Sequence, residues 1–175
     1  MPKKRKIAIE ADERKIIELL INDSRQSPNE IAKKLGFSRQ KVWRIINRLE
    51  NKKVIWGYTT VINENSIGYN SYFALCKAKA PFYELIDELI KRLKEKKAEK
   101  LDVRYLGQYY LHGNYDWLCV FSAKNIMDAK KFCGYMQKEY GDYIDRIDLL
   151  ENVFTLVRFG KINPDIEKFK EIAVF

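Results

Sequence analysis

Three short stretches near the start of the chain carry apolar residues at the 3.6-residue period of an amphipathic helix. Over residues 12–22 these are Ile16, Ile17, Leu19 and Leu20, with Asp12 in the position expected of an N-cap. Ser27-Pro28-Asn29-Glu30 has the form of a capping box with proline at the first helical position, which predicts a short second helix through Ile31, Ala32 and Leu35. Gly36 supplies the left-handed residue that ends it, and Ser38 caps a third helix. There Val42, Ile45, Ile46 and Leu49 fall at i, i+3, i+4 and i+7, an apolar stripe for packing on the first two helices. Two helices joined by a tight glycine turn make a helix-turn-helix.

From residue 70 the pattern predicts a strand over 71–79, a helix over 82–99, strands over 103–111 and 115–122, a helix over 126–140 and an interrupted strand over 143–159. The order βαββαβ is the ferredoxin-like layout, so the fold class is α+β. The first of these helices is expected to bury Leu85, Leu89 and Leu93, and the second Ala129, Phe132, Cys133 and Met136. The strand over 115–122 is apolar on both faces: Trp117, Cys119 and Phe121 alternate with Leu118 and Val120. Helices on one side of an open sheet hide only one face. Its second face calls for cover, either from an identical sheet in a twofold homodimer or from the tail around 166–172. Residues 54–65, VIWGYTTVINEN, alternate in part and suggest a strand that links the two halves and pairs with a dimer mate.

Charge divides the chain at the same place. Residues 1–60 carry 15 Lys/Arg against 7 Asp/Glu, net +8 of the +9 for all 175 residues. A basic N-terminal module joined to a near-neutral one suggests polyanion binding at the first end and a different task at the second. An apolar share of 46% with 33% charged residues is that of a globular chain, with no run near the roughly 18 apolar residues of a membrane span. The basic start Pro2-Lys3-Lys4-Arg5-Lys6 is followed by no apolar segment of the secretory type, so a cytoplasmic location is expected. Cys76, Cys119 and Cys133 are widely spaced in apolar surroundings, as reduced core thiols are, and one histidine, His112, leaves little room for a metal site or histidine catalysis. No cofactor is expected.

The third helix then has a second face. At about 100° per residue Gln40, Arg44 and Asn47 project opposite the apolar stripe, with Lys41 and Arg48 on one flank and Trp43 on the other. Arginine can bond a guanine edge and glutamine or asparagine an adenine edge in bidentate fashion, while Arg39, Lys41 and Arg48 are expected to contact phosphate. Ser38, at the helix start, completes the candidate DNA-contacting set. A solvated basic face is the alternative.

Ile9-Glu10, Glu13, Ile16-Ile17, Asp23-x-Arg25-x-Ser27, Glu30-Ile31-Ala32, Leu35-Gly36-Phe37-Ser38, Val42, Arg44, Ile46, Arg48-Leu49-Glu50 and Val54-Ile55-x-Gly57-Tyr58 together resemble, without gaps over 9–59, the DNA-binding half of the Lrp/AsnC family of feast/famine transcription regulators. Looser likeness runs to about residue 161 through Gly68 and Gly113-Asn114-Tyr115-Asp116, similar to the family's Gly-x-Tyr/Phe-Asp loop. Ile45 stands where the family often has a second arginine, and Lys53 where a glycine usually ends the helix. The resemblance implies a sequence-specific, double-stranded-DNA-binding regulator, dimeric through its C-terminal domains or assembled to octamers. It also implies a small-molecule effector such as an amino acid near Gly113, Asn114, Tyr115 and Asp116. A β-hairpin turn explains that loop equally well.

The domains expected are a basic arm over 1–8, the winged-type helix-turn-helix over 9–53, a linker strand over 54–69, the ferredoxin-like effector and oligomerisation domain over 70–161 and a tail over 162–175, helical in part. Siroheme decarboxylases share this two-domain build but rely on histidines and on paired arginines after the first domain, and Val54-Ile55-Trp56-Gly57 has no such pair. An RNA-binding reading needs the RNP1 pattern, whose basic and glycine positions are missing from Asn114-Tyr115-Asp116-Trp117-Leu118-Cys119-Val120-Phe121. A ligand-sensing assembly module without specific DNA binding is the remaining alternative.

Overall fold

The computed structural model describes residues 9–79, 85–95 and 101–173, so the basic arm over 1–8 and both ends of the helix expected over 82–99 lie outside the described residues. The chain divides into two compact units, Met1–Val61 and Ile62–Phe175.

The first unit is a three-helix assembly: α1 (Ala11–Asn22), α2 (Pro28–Leu35) and α3 (Arg39–Asn51). Its core is Ile16, Leu20, Ile31, Ala32, Val42, Ile45 and Leu49, with Ile46 half-buried beside them. Local chemistry sets the helix ends. Ser27 Oγ accepts from Glu30 N–H at 3.3 Å while the Glu30 carboxylate accepts from Ser27 N–H at 2.7 Å, closing the capping box. Gly36 ends α2 at φ 66°, a left-handed conformation that an L side chain adopts only with strain. Ser38 Oγ accepts from Lys41 N–H at 3.2 Å and caps α3.

Asp12 is not the cap of α1. Glu10 holds that position, and the Glu13 carboxylate reaches back to accept from Glu10 N–H at 2.8 Å. Asp12 sits in the first turn, where the helix dipole favours a carboxylate. Past α3 the chain turns at Lys53 (φ 58°), where Val54 N–H bonds Leu49 O at 2.9 Å, and continues without a ladder partner among the described residues. The strand expected over 54–65, which was to pair with a dimer mate, thus has no partner among the described residues of the single chain, and a 3₁₀ turn occupies Glu64–Ile67.

In the second unit β1 (Asn70–Ala78), β2 (Arg104–Tyr110), β3 (Trp117–Ala123) and β4 (Ile144–Glu151) form one antiparallel sheet in the order β2-β3-β1-β4. With α4 (Ile86–Lys94) between β1 and β2 and α5 (Ile126–Tyr140) between β3 and β4, this is the expected ferredoxin-like topology. The strand period of two sends Tyr72, Ala74, Cys76, Trp117, Cys119 and Phe121 into a core with Phe132 and Met136 of α5. Cys133 is only partly buried there. Leu85 is fully buried just ahead of α4, whereas Leu89 is half-buried and Leu93 exposed, so the expected leucine face packs at its first end only.

The last predicted strand, over 143–159, ends at Glu151. Asn152 N–H bonds Ser71 O at 2.9 Å, one residue short of the start of β1, so further residues have no partner strand. Instead Val157–Arg158 (β5) and Lys161–Ile162 (β6) pair with each other. The tail carries a 3₁₀ turn, Ile166–Lys168, and α6 (Phe169–Ile172), whose Phe169 ring stacks on Phe154 at 5.5 Å.

Candidate nucleic-acid interface

Helix α3 presents two unlike surfaces because its buried stripe fixes its rotation about its axis. Val42 and Leu49 are fully buried and Ile45 nearly so, which leaves Ser38, Arg39, Gln40, Trp43 and Arg44 exposed and Lys41, Asn47 and Arg48 half-exposed. The structure thus brings all eight sequence-predicted residues onto one helix and its cap, and it separates them by what they touch.

The flank that carries Lys41 and Arg48 is tied to α1. Lys41 Nζ lies 2.6 Å from Asp12 Oδ2, which holds the Asp12 carboxyl below its ordinary range, and 3.9 Å from the centroid of the Phe37 ring. Arg48 Nε lies 2.9 Å from Glu13 Oε1 and its Nη2 3.2 Å from Glu10 Oε2. Glu13 is 1% exposed, so its charge is removed from water and needs that guanidinium. Lys52 Nζ stands 3.8 Å from the same carboxylate. Lys41 and Arg48, expected on phosphates, are committed to acidic groups of α1 and its cap reached across 29 to 38 residues of sequence.

Arg39 and Arg44 have no hydrogen-bond or ion-pair partner among the described residues. Arg44 and Gln40 are four residues apart and stack on one face, so the unneutralised charge and the amide point the same way. Trp43, 58% exposed, borders them on the side away from α1.

That second flank ends in a feature sequence reasoning did not single out. Trp56 is 94% exposed and its Nε1–H donates to Lys53 O at 2.8 Å; Tyr58 O–H donates to Glu50 Oε1 at 2.9 Å. Burial, with the Glu50 carboxylate beside it, pushes the Tyr58 phenol up to about 12. Glu50, Lys53, Ile55, Trp56, Gly57 and Tyr58 line an open cavity of about 510 Å³. Two aromatics separated by a glycine right after a helix were the available signal.

In the second unit the Gly113–Asp116 loop joins β2 to β3. Asp116 Oδ2 accepts from Ala78 N–H at 2.9 Å and faces Lys77 Nζ at 3.1 Å, and the backbone bond first, with the lysine, lowers its pKa. Tyr115 O–H donates to Asp148 Oδ2 at 2.6 Å. Gly113, Asn114 and His112 are exposed. Of the four residues expected to meet a ligand, Tyr115 and Asp116 thus fasten the loop to β4 and β1. On the sheet face away from α5, Phe73, Leu75, Leu118 and Val120 are half-buried and Tyr109 and Leu150 exposed.

Among the described residues there is no helix long and apolar enough to cross a membrane and no group of His, Cys, Asp or Glu arranged to hold a metal ion. Burial raises the thiols of Cys76 to about 12 and of Cys133 to about 11, which keeps them protonated.

Residues 13–55 match a family described as winged helix-turn-helix DNA-binding. An uncharacterized HTH-type transcriptional regulator of Pyrococcus horikoshii is 31% identical over 125 residues, covering 71% of this chain and 78% of that protein. HTH-type transcriptional regulator FL11 of Pyrococcus furiosus is 29% identical over 147 residues, 83% of this chain and 85% of its own length. Among solved structures, an AsnC family transcriptional regulator from Agrobacterium tumefaciens superposes with a TM-score of 0.68 over 89% of this chain and 97% of that one; at 18% identity the likeness is one of fold.

Proposed function

The chain belongs to the Lrp/AsnC family of HTH-type transcription regulators, a DNA-binding regulator and not an enzyme, and from that premise we propose that it reads a specific duplex sequence through the exposed face of α3. The observation that carries this is the sorting of the basic residues. Arg39 and Arg44 have no partner among the described residues and stand beside Gln40 and Asn47, while Lys41 and Arg48 hold α3 on α1. Gln40 and Asn47 suit adenine edges, Arg44 a guanine edge, and Ser38 with Arg39 lies at the helix start where the phosphate backbone passes. Trp43 closes the face on its far side.

The half-open second sheet face supports a homodimer through the C-terminal units, a step toward the octamers known in the family. Two α3 helices one DNA turn apart, about 34 Å, then read a pseudo-palindrome, and tethering multiplies the affinity of each head. Residues 54–63, without a strand partner among the described residues, fit a strand completed by the second copy. A small-molecule effector such as an amino acid fits the Gly113–Asp116 loop, where Tyr115 and Asp116 hold the shape and exposed Asn114 with the Gly113 backbone offers the polar contacts. A regulator that reads duplex DNA has to share a compartment with it, and on that ground a cytoplasmic location is part of the same proposal.

Selection from random duplex DNA followed by footprinting tests the reading. The expected result is an enriched pseudo-palindrome with half-sites one turn apart and affinity that falls steeply with salt. Arg44→Ala is expected to cost about 1–3 kcal/mol of specific binding and to relax choice at one base position. Enrichment of no sequence overturns it.

A further inference from the structure

Trp43 is a large apolar side chain left 58% exposed in the middle of a helix whose other apolar residues are buried or, at Ile46, half-buried. Its Nε1–H has no acceptor and its ring no aromatic or cationic partner among the described residues. Helical geometry places it about 60° from Gln40 and about 40° from Asn47, both polar residues of the groove face, and four residues after Arg39. A helical side chain leans toward the N-terminus, so the indole covers the turn that carries Arg39 and Gln40. That is the turn whose residues meet base edges when a recognition helix enters the major groove.

The major groove offers one apolar group at a base edge, the C5-methyl of thymine. Gln40 and Asn47 both match the N6/N7 edge of adenine, and the partner of an adenine is a thymine. A glutamine or asparagine on the purine and an apolar surface beside it on the pyrimidine therefore suit the same base pair. Arg39 and Arg44, without a partner among the described residues, border this apolar spot and draw it onto the duplex, whereas a protein partner there would have to cover both guanidinium groups.

Resting on the DNA-reading function above, we infer that Trp43 is a specificity-determining residue that packs on a thymine C5-methyl in each half-site, next to an adenine read by Gln40 or Asn47. The side chain discriminates thymine by burying its methyl, not by a hydrogen bond. A helix of this kind favours operators with an A·T pair at that fixed position.

The test uses the full-length protein and the duplex recovered by selection. Each thymine in the footprint is replaced in turn by deoxyuridine, which removes only the methyl and keeps the base pair. Wild-type protein is expected to bind about fourfold more weakly at one position per half-site, the value of one buried methyl-sized apolar group. Trp43→Ala is expected to bind the thymine and deoxyuridine duplexes equally, and Trp43→Phe to keep part of the difference. Wild-type affinity unchanged by deoxyuridine at every position, or discrimination that survives in Trp43→Ala, overturns the inference while leaving DNA reading intact. Failure to recover any specific duplex overturns the reading and the inference together.

Discussion

Arg44 and Arg48 lie one turn apart on α3 with the same charge and different neighbours. Arg48 meets Glu13, a carboxylate withdrawn from water, so removing the guanidinium strands a buried charge. Arg48→Ala is expected to destabilise the folded chain by about 2 kcal/mol, the low side of a buried pair because the arginine is itself partly solvated. Arg44→Ala should change stability by less than about 0.5 kcal/mol, since Arg44 has no partner among the described residues. Urea unfolding of the two variants checks this; equal stabilities would show that the Glu13 pair contributes nothing. The stops and starts at Ser27, Gly36 and Ser38 were legible because a cap is local chemistry within four residues. The Glu13–Arg48 and Asp12–Lys41 pairs were not, because their partners are brought together only by the fold. Glu10 was missed as a cap for a different reason: glutamate is an uncommon N-cap, and the signal lay in Glu13 reaching back. Lys53, whose φ of 58° takes the place of the family's glycine, shows that the end of a helix can be set by its hydrogen bonds even where the residue is unfavourable.

At the scale of elements, one of the two side chains that fasten the loop between β2 and β3 is a carboxylate. Asp116 holds Ala78 N–H and Lys77, and its pKa lies below the ordinary 3.8. A depressed folded-state pKa contributes stability that is present above the unfolded value and lost as pH falls through the folded one. Asp116→Asn is expected to lose about 1 kcal/mol at neutral pH, since the charge-assisted bond becomes a neutral one, with the gap to wild type closing below pH 3.8. Unfolding curves across that range decide it; a gap that stays constant with pH would exclude the charge as its source. The element pattern itself was readable where one face is buried: α5 has the predicted bounds, and β1 and β3 fall within two residues of theirs. It failed beyond Glu151, where apolar residues continue but the partner strand has run out. Val153, Val157 and Phe159 are exposed there, and no periodicity reveals that β1 begins only at Asn70.

For the whole molecule, the proposed homodimer rests on the second apolar face of the sheet. Val120 stands beside Phe73 and Gly107 at the middle of that face. Light scattering at micromolar concentration is expected to give a dimer, and Val120→Asp a monomer that keeps its circular dichroism and loses most of its operator affinity. A monomeric mass for the wild type would refute the assembly. Of the proposed reading face, the types and spacing of Gln40, Arg44 and Asn47 were in the sequence, but which cations have no partner among the described residues was not.

The tethering of Lys41 and Arg48 to α1 has a consequence for how a regulator finds its site. Grip on random DNA comes from phosphate neutralisation, and each cation spent internally weakens that grip without touching base recognition. A reading head built this way lingers less at wrong sequences, so fewer copies per cell are held by the bulk of the chromosome and more are available to the operator.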